Sequence, residues 1–106
     1  MYIKDNVFYS VNDYRYSKYK IDNKGNVLLG NRILKRRIDK NGEVYVRLRD
    51  LSGNKRRVLV RDLLAITFFN RNLELDNITT FSVDGNSFNT SAFNVGCFNS
   101  SDYFIY

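Results

Sequence analysis

The sequence predicts an α+β fold: a small antiparallel β-sheet built of hairpins, a helix directly after it, and a second small unit beyond the helix. Three observations predict it. Lys40-Asn41-Gly42 and Ser52-Gly53-Asn54 supply the residues that tolerate positive φ in hairpin turns. Between them Val44, Val46 and Leu48 alternate with Tyr45, Arg47 and Arg49, the period of a strand buried on one side. Over residues 60–69 (VRDLLAITFF) the period becomes helical, with Leu63, Leu64, Ile66 and Thr67 crowding one side.

Taken in order, residues 1–13 are weakly patterned, with Val7, Tyr9 and Val11 alternating as an edge strand. In YRYSKYKI, residues 14–21, Tyr14, Tyr16 and Tyr19 alternate with Arg15, Lys18 and Lys20. Asn23-Lys24-Gly25 makes a hairpin turn into residues 26–29, and Gly30-Asn31 a second turn into the central stretch. That stretch, residues 33–69, reads as three short strands and two turns running into the helix. Leu34 and Ile38 in its first strand, and Val58 and Val60 in its third, point to the core. Lys35, Arg37, Arg47, Arg49, Lys55, Arg57 and Arg61 fall on the opposite face. Asp62 sits in the first helical turn, where an anion is favoured, and Asn70 ends the helix.

From Asn72 the chain is rich in Asn, Ser and Phe, with Phe81, Phe88, Phe93, Phe98 and Phe104 too irregularly spaced for a repeat. Val83-Asp84-Gly85-Asn86 is a tight turn, and Thr90 caps a short helix through Val95 that Gly96 stops. Tyr103, Ile105 and Tyr106 close onto the core. The chain thus divides into a basic β-rich module ending in a helix, 1–71, and a tail, 72–106, packed on it as one compact unit.

Composition narrows the function. At 106 residues, 43% hydrophobic and 15% aromatic, the chain can bury a core without staples. No apolar run approaches the roughly 18 residues that cross a bilayer, so no membrane is expected as a partner. MYIKDNVFYS carries no export pattern, and Cys97 stands alone, which rules out an internal disulfide and suggests an intracellular setting. There is no histidine, the usual general base near neutral pH. With one cysteine besides, a zinc site is excluded, and no cofactor is expected. The charge, +6 in all, is concentrated. Residues 32–61 hold eleven Lys or Arg against Asp39, Glu43 and Asp50, whereas residues 72–106 hold four acids and no cation. A basic centre with an acidic tail suggests a polyanion partner for the first part only.

Each feature has a plainer reading. A Lys/Arg face is also what any solvated sheet presents. Tyr14, Tyr16 and Tyr19 fit a core as well as a base-stacking surface. Asp84-Gly85-Asn86 is a generic turn, Asp84, Asn86 and Asn94 make only a weak cation set, and Cys97 suits a small buried apolar position.

Four runs carry a resemblance: YKIDNKGNV at 19–27, ILK at 33–35, DKNGEVYVRL at 39–48 and RVLVRDLLAITFF at 57–69. They resemble the DNA-binding module that precedes the nuclease core in phage-type HNH homing endonucleases, with its pattern Y-x-I-S-N-x-G-x-V, I-L-K-P, G-Y-x-x-V-x-L and V-H-R-L-V-A-x-x-F. TFSVDGNSFNTSAFNV at 80–95 falls in register with that family's core, V-D-H-I-D-G-N-x-x-N-N-x-x-x-N-L, so the tail resembles a degenerate ββα-metal (HNH-like) unit. The resemblance covers about residues 14 to 103.

The departures matter as much. The family's Asp-His, a metal ligand and the general base, falls at Phe81 and Ser82; a further Asn or His ligand falls at Tyr103; the histidine of V-H-R-L is Arg61. Asn94, at the position that orients the base, is retained. A serine without its own base does not activate water, and a phenylalanine does not bind Mg²⁺. The resemblance therefore implies a site at Phe81, Ser82, Asn94 and Tyr103 without chemistry, no enzyme activity, and a DNA-binding protein, with RNA as the other nucleic acid, acting in the host cytoplasm. The alternative is a phage structural or interaction protein, part of a virion or an inhibitor, that meets a phage or host protein through its Asn/Phe-rich tail.

Overall fold

The computed structural model describes residues 6–73 and 77–99. Strands β1 (Tyr9–Ser10), β2 (Tyr19–Ile21), β3 (Val27–Leu29) and β4 (Arg32–Ile33) form an antiparallel sheet in sequence order. Strands β5 (Arg37–Ile38), β6 (Val44–Arg49) and β7 (Lys55–Leu59) form a second. Helix α1 (Val60–Phe68) follows without a break, and β8 (Ile78–Ser82) pairs with β9 (Val95–Asn99) in a closing hairpin. The fold is α+β, with antiparallel sheets and, among the described residues, one α-helix, as the sequence predicts.

Three hairpin turns share one device. Asp22, Asp39 and Asp50 each accept two backbone N–H groups through Oδ1, from the residues two and four further on, at 2.8–3.1 Å. Gly25, Gly42 and Gly53 stand three residues after those aspartates with φ of 83°, 79° and 83°. A carboxylate that satisfies two amides, followed by a residue free to adopt positive φ, reverses the chain with no proline. Gly25 is constrained twice, because a Cβ there would stand 2.7 Å from Val60 Cγ1 and 2.8 Å from the Thr90 carbonyl oxygen.

Four expectations need correction. Residues 14–16 are a 3-10 turn, not part of a strand. Asp13 caps it by accepting the Arg15 amide at 3.0 Å, and Tyr16 turns into the core; local capping overrides the tyrosine alternation. The first strand of the central stretch is broken. Arg32–Ile33 pairs with β3, Arg37–Ile38 with β6, and Leu34 N–H donates to the Val27 carbonyl at 2.8 Å between them. Ile38, expected inside, is 57% exposed at the sheet edge. The short helix expected at 90–95 is a 3-10 turn, Ala92–Asn94, capped by Ser91. Thr90 instead donates to the Lys24 carbonyl at 2.9 Å and accepts from Arg36 at 2.7 Å, while Gly96 lies inside β9 beneath the Phe81 ring, which a Cβ there would strike.

The core joins all three sheets through α1. Val60, Leu63, Leu64 and Ala65 are fully buried, and the helix packs against β2, β6, β7, β8 and β9. Val11, just after β1, and Ile21 and Val27 from the first sheet meet Val46 and Leu48 from the second there. Asn70, at φ 53°, turns the chain out of the helix. Cys97 is half-buried in β9, where burial pushes its thiol up. No described helix is long and apolar enough to cross a membrane. The expected packing of Tyr103, Ile105 and Tyr106 lies outside the described residues.

Gly25 and Gly53 share one φ but differ in surroundings, since no atom lies within 4 Å of a Cβ at Gly53. Gly53→Ala is expected to cost about 1–2 kcal/mol, the strain of an L-residue in that region. Gly25→Ala is expected to cost distinctly more. Urea unfolding of the two variants checks this, and equal losses would contradict it.

Candidate nucleic-acid interface

The second sheet has two chemically opposite faces because residues directly across an antiparallel pair share a side. Val44, Val46 and Leu48 of β6 face the core at 8%, 0% and 0% exposure. On the other side Arg37 lies across from Tyr45, Arg47 from Arg57, and Arg49 from Lys55. All five of these cations are exposed. Tyr45 is the floor of the face: it is buried, with the Arg57 guanidinium 5.0 Å above its ring. Arg49 is held at both ends, its amide donating to Tyr19 Oη and its Nη1 to the Gly53 carbonyl, each at 2.9 Å.

Two directly opposed cation pairs repel one another, and like charges facing across strands are destabilising. Among the described residues the carboxylates pair elsewhere. Ion pairs engage Arg15 with Asp13, Arg56 with Asp50 and Arg61 with Glu43. None of the five face cations has a carboxylate partner among the described residues.

Two residues assigned to the face by alternation are not on it. Lys35 is exposed in the connection between β4 and β5, where no strand pairing fixes its direction. Arg61 belongs to the first turn of α1 and points inward, because strand period ends at Leu59. Its Nη1 meets Glu43 Oε2 at 2.5 Å and its Nε donates to Thr80 Oγ1 at 3.0 Å; Thr80 in turn donates to Asp62 Oδ1. Four side chains thus tie the start of β6, the helix and β8 in one polar chain. Asp62 gains less from the helix terminus than expected. Burial pushes its carboxyl up, against the opposing pull of the Thr80 hydroxyl and the Arg61 charge.

Ser82 and Asn94 come together in the tail, at opposite ends of the β8–β9 turn. Asn94 is 7% exposed. Its Nδ2 donates to Asp84 Oδ1 at 2.9 Å and to the Asn89 carbonyl at 3.0 Å, and its Oδ1 accepts the Asp84 amide at 3.0 Å. Asp84 also accepts from Asn89 Nδ2 and the Asn86 amide, and these bonds hold its carboxyl below the ordinary range, Asn89 foremost. Asn94 is thereby a brace for the 83–89 loop. The space walled by Glu43, Arg61, Ser82, Asn89 and Asn94 is about 10 Å³, the lower limit for a single water. Arg61 and Glu43 pair across its wall, and Phe81 takes no part in it: Phe81 is 43% exposed, its ring over Gly96 and 6.0 Å from that of Phe98. Tyr103 lies outside the described residues. Groups of three or more Asp, Glu or Cys do not converge anywhere among the described residues.

No protein-family model matches the chain, and no curated protein does. Among solved structures it superposes on the HNH homing endonuclease I-HmuI, a structure concerned with DNA binding and cleavage by that enzyme, with a TM-score of 0.70 and 24% identity. The match takes in 97% of this chain and 55% of the other, so this chain spans about half the length of that protein. The likeness establishes the fold, an arrangement shared with an HNH endonuclease over nearly the whole chain.

Because burial raises the Asp62 carboxyl above its ordinary 3.8, the folded protein holds that proton more tightly than the unfolded chain does. The resulting penalty on stability is absent below that ordinary value, grows as pH rises through the folded one, and is complete at neutral pH. Asp62→Asn, which can still accept from Thr80, is therefore expected to raise the melting temperature at pH 7, with the gain shrinking towards pH 4. A variant less stable than wild type at pH 7 would contradict this.

Proposed function

We propose that this chain is a non-catalytic nucleic-acid-binding protein, with DNA as its partner, that binds through the outer face of β5, β6 and β7. The observation that carries the reading is the set Arg37, Arg47, Arg49, Lys55 and Arg57 on one face, with no carboxylate paired to them among the described residues. Phosphates laid against that face relieve its internal repulsion and release their own counterions. The three arginines of β5 and β6 present planar forks suited to phosphates and guanine edges, while Lys55 and Arg57 flank them on β7. Lys35 adds a cation from the neighbouring connection, and Arg61 serves the fold. The shared fold with an enzyme that binds and cleaves DNA supports the nucleic-acid partner.

The absence of catalysis rests on residue chemistry. Hydrolysis in the HNH pattern needs an activated water and a metal-bound phosphate. Ser82 stands where that pattern has its general base and Phe81 where it has a metal ligand. The space beside Ser82 and Asn94 is only about 10 Å³, and the paired Arg61 and Glu43 form part of its wall. A second reading, a protein-interaction component, is favoured by the exposed Val83, Phe88 and Phe93 on a hairpin without Lys or Arg. Binding of the whole chain to protein but not to duplex DNA would select it.

Titration of a short duplex at several salt concentrations tests the main reading. Log affinity is expected to fall against log salt with a slope of about 0.9 per phosphate contact. Arg47→Ala or Arg49→Ala is expected to lower that slope by about 1, whereas Arg61→Ala leaves it unchanged and lowers stability. A salt-independent response would remove the proposal. Plasmid incubated with the protein and Mg²⁺ or Mn²⁺ is expected to stay intact, and cleavage that survives purification and disappears in an Asn94→Ala variant would restore catalysis.

A further inference from the structure

Among the described residues β7 is the outer strand of its sheet, so one row of its backbone amides and carbonyls has no described strand beside it. Along that edge runs a groove of about 930 Å³, bounded by the 3-10 turn at 14–16, by β7, and by the end of α1 with the residues just after it. The volume is near the top of the roughly 300–1,000 Å³ range of small-ligand sites. Arg15, Lys55, Arg56, Arg57 and Arg71 line it, against Asp13 and Asp62. Asp13 is matched by Arg15, and Arg56 is held by Asp50. Lys55, Arg57 and Arg71 have no carboxylate partner among the described residues. Two of these, Lys55 and Arg57, also belong to the sheet face, so positive charge continues round the strand edge from the face into the groove.

The groove is also lined by Tyr14, at 75% exposure the most open large apolar side chain described. Tyr14 starts the 3-10 turn, which Asp13 caps, so its backbone is fixed while its ring stands in solvent. Edge cations by themselves discourage strand addition, which accounts for Lys55. They do not account for an open aromatic ring on one wall and Arg71 beyond the helix end. Basic walls with an aromatic platform are the means by which proteins hold unpaired nucleotides, since every base offers a face to stack.

We infer that this groove takes an unpaired nucleic-acid segment continuous with a duplex on the sheet face, its phosphates on Lys55, Arg57 and Arg71 and one base against Tyr14. The inference rests on the nucleic-acid reading of the face and adds a substrate form to it: a junction between paired and unpaired strands, not a uniform duplex.

Fluorescence anisotropy with the full chain tests it, using a blunt duplex and the same duplex carrying a four-nucleotide single-stranded extension of either polarity. One extended probe is expected to bind about tenfold tighter than the blunt one. Tyr14→Ala should abolish that gain with blunt-duplex binding unchanged, and Tyr14→Phe should keep it. Arg71→Ala should reduce the gain, and Arg47→Ala should weaken both probes alike. Equal binding of blunt and extended probes, or a gain that survives Tyr14→Ala, overturns the groove assignment while leaving the sheet-face reading standing. Failure of every probe to bind overturns both. A fluorescent polyglutamate peptide that binds the wild-type protein and is lost with Tyr14→Ala overturns the inference in favour of an acidic protein partner.

Discussion

Strand β6 is where one sequence pattern sets both stability and surface chemistry. Val44, Val46 and Leu48 are sealed against helix α1, and the pleat then leaves Arg47 and Arg49 no direction except outward. Burial of each aliphatic side chain contributes about 1.5–3 kcal/mol relative to exposure, more than the repulsion between neighbouring exposed cations. The core therefore holds the Arg and Lys residues of β6 and β7 in a crowded arrangement that these side chains would not adopt by themselves. Register does the rest, since a slip of one residue would bury the arginines and expose the valines.

The tail is fastened to this sheet by polar groups as well as by the packing of Ala92 and Val95 on the core. Glu43, Arg61, Thr80 and Asp62 run in one hydrogen-bonded series from the start of β6 through the helix to β8. Breaking such a part-buried series at one member leaves the others unsatisfied, which costs more than the bond itself contributes. Two members of that series, Glu43 and Arg61, line the small space next to Ser82 and Asn94. On the proposed reading, residues at a former reaction centre now serve cohesion: Asn94 braces a loop through Asp84, and Arg61 pairs with Glu43.

Much of this was legible in the sequence where the determinants are local. The 44–49 alternation, the turn glycines and the switch to helical period at Val60 each depend on neighbours within a few residues, and the corresponding elements form. What escaped depends on distant partners. The break at residues 34–36 follows from Leu34 bonding to Val27 and Arg36 to Thr90, the latter 54 positions away. Strand period extended two residues past Leu59 puts Arg61 on the sheet face, although Asp62 and the apolar run after it mark a helix start. The direction of Phe81 turns on Gly96 across the hairpin, a pairing that no periodicity within 78–82 could reveal.

The most direct measurement is a residue-by-residue map of amide shifts in the ¹⁵N-labelled protein as a short DNA duplex is added. If the cationic face is the contact surface, the amides that move are those of Arg37, Arg47, Arg49, Lys55 and Arg57 with their strand neighbours, while the β8–β9 hairpin stays still. Shifts confined to that hairpin, or none at any ratio of duplex to protein at low salt, would contradict it.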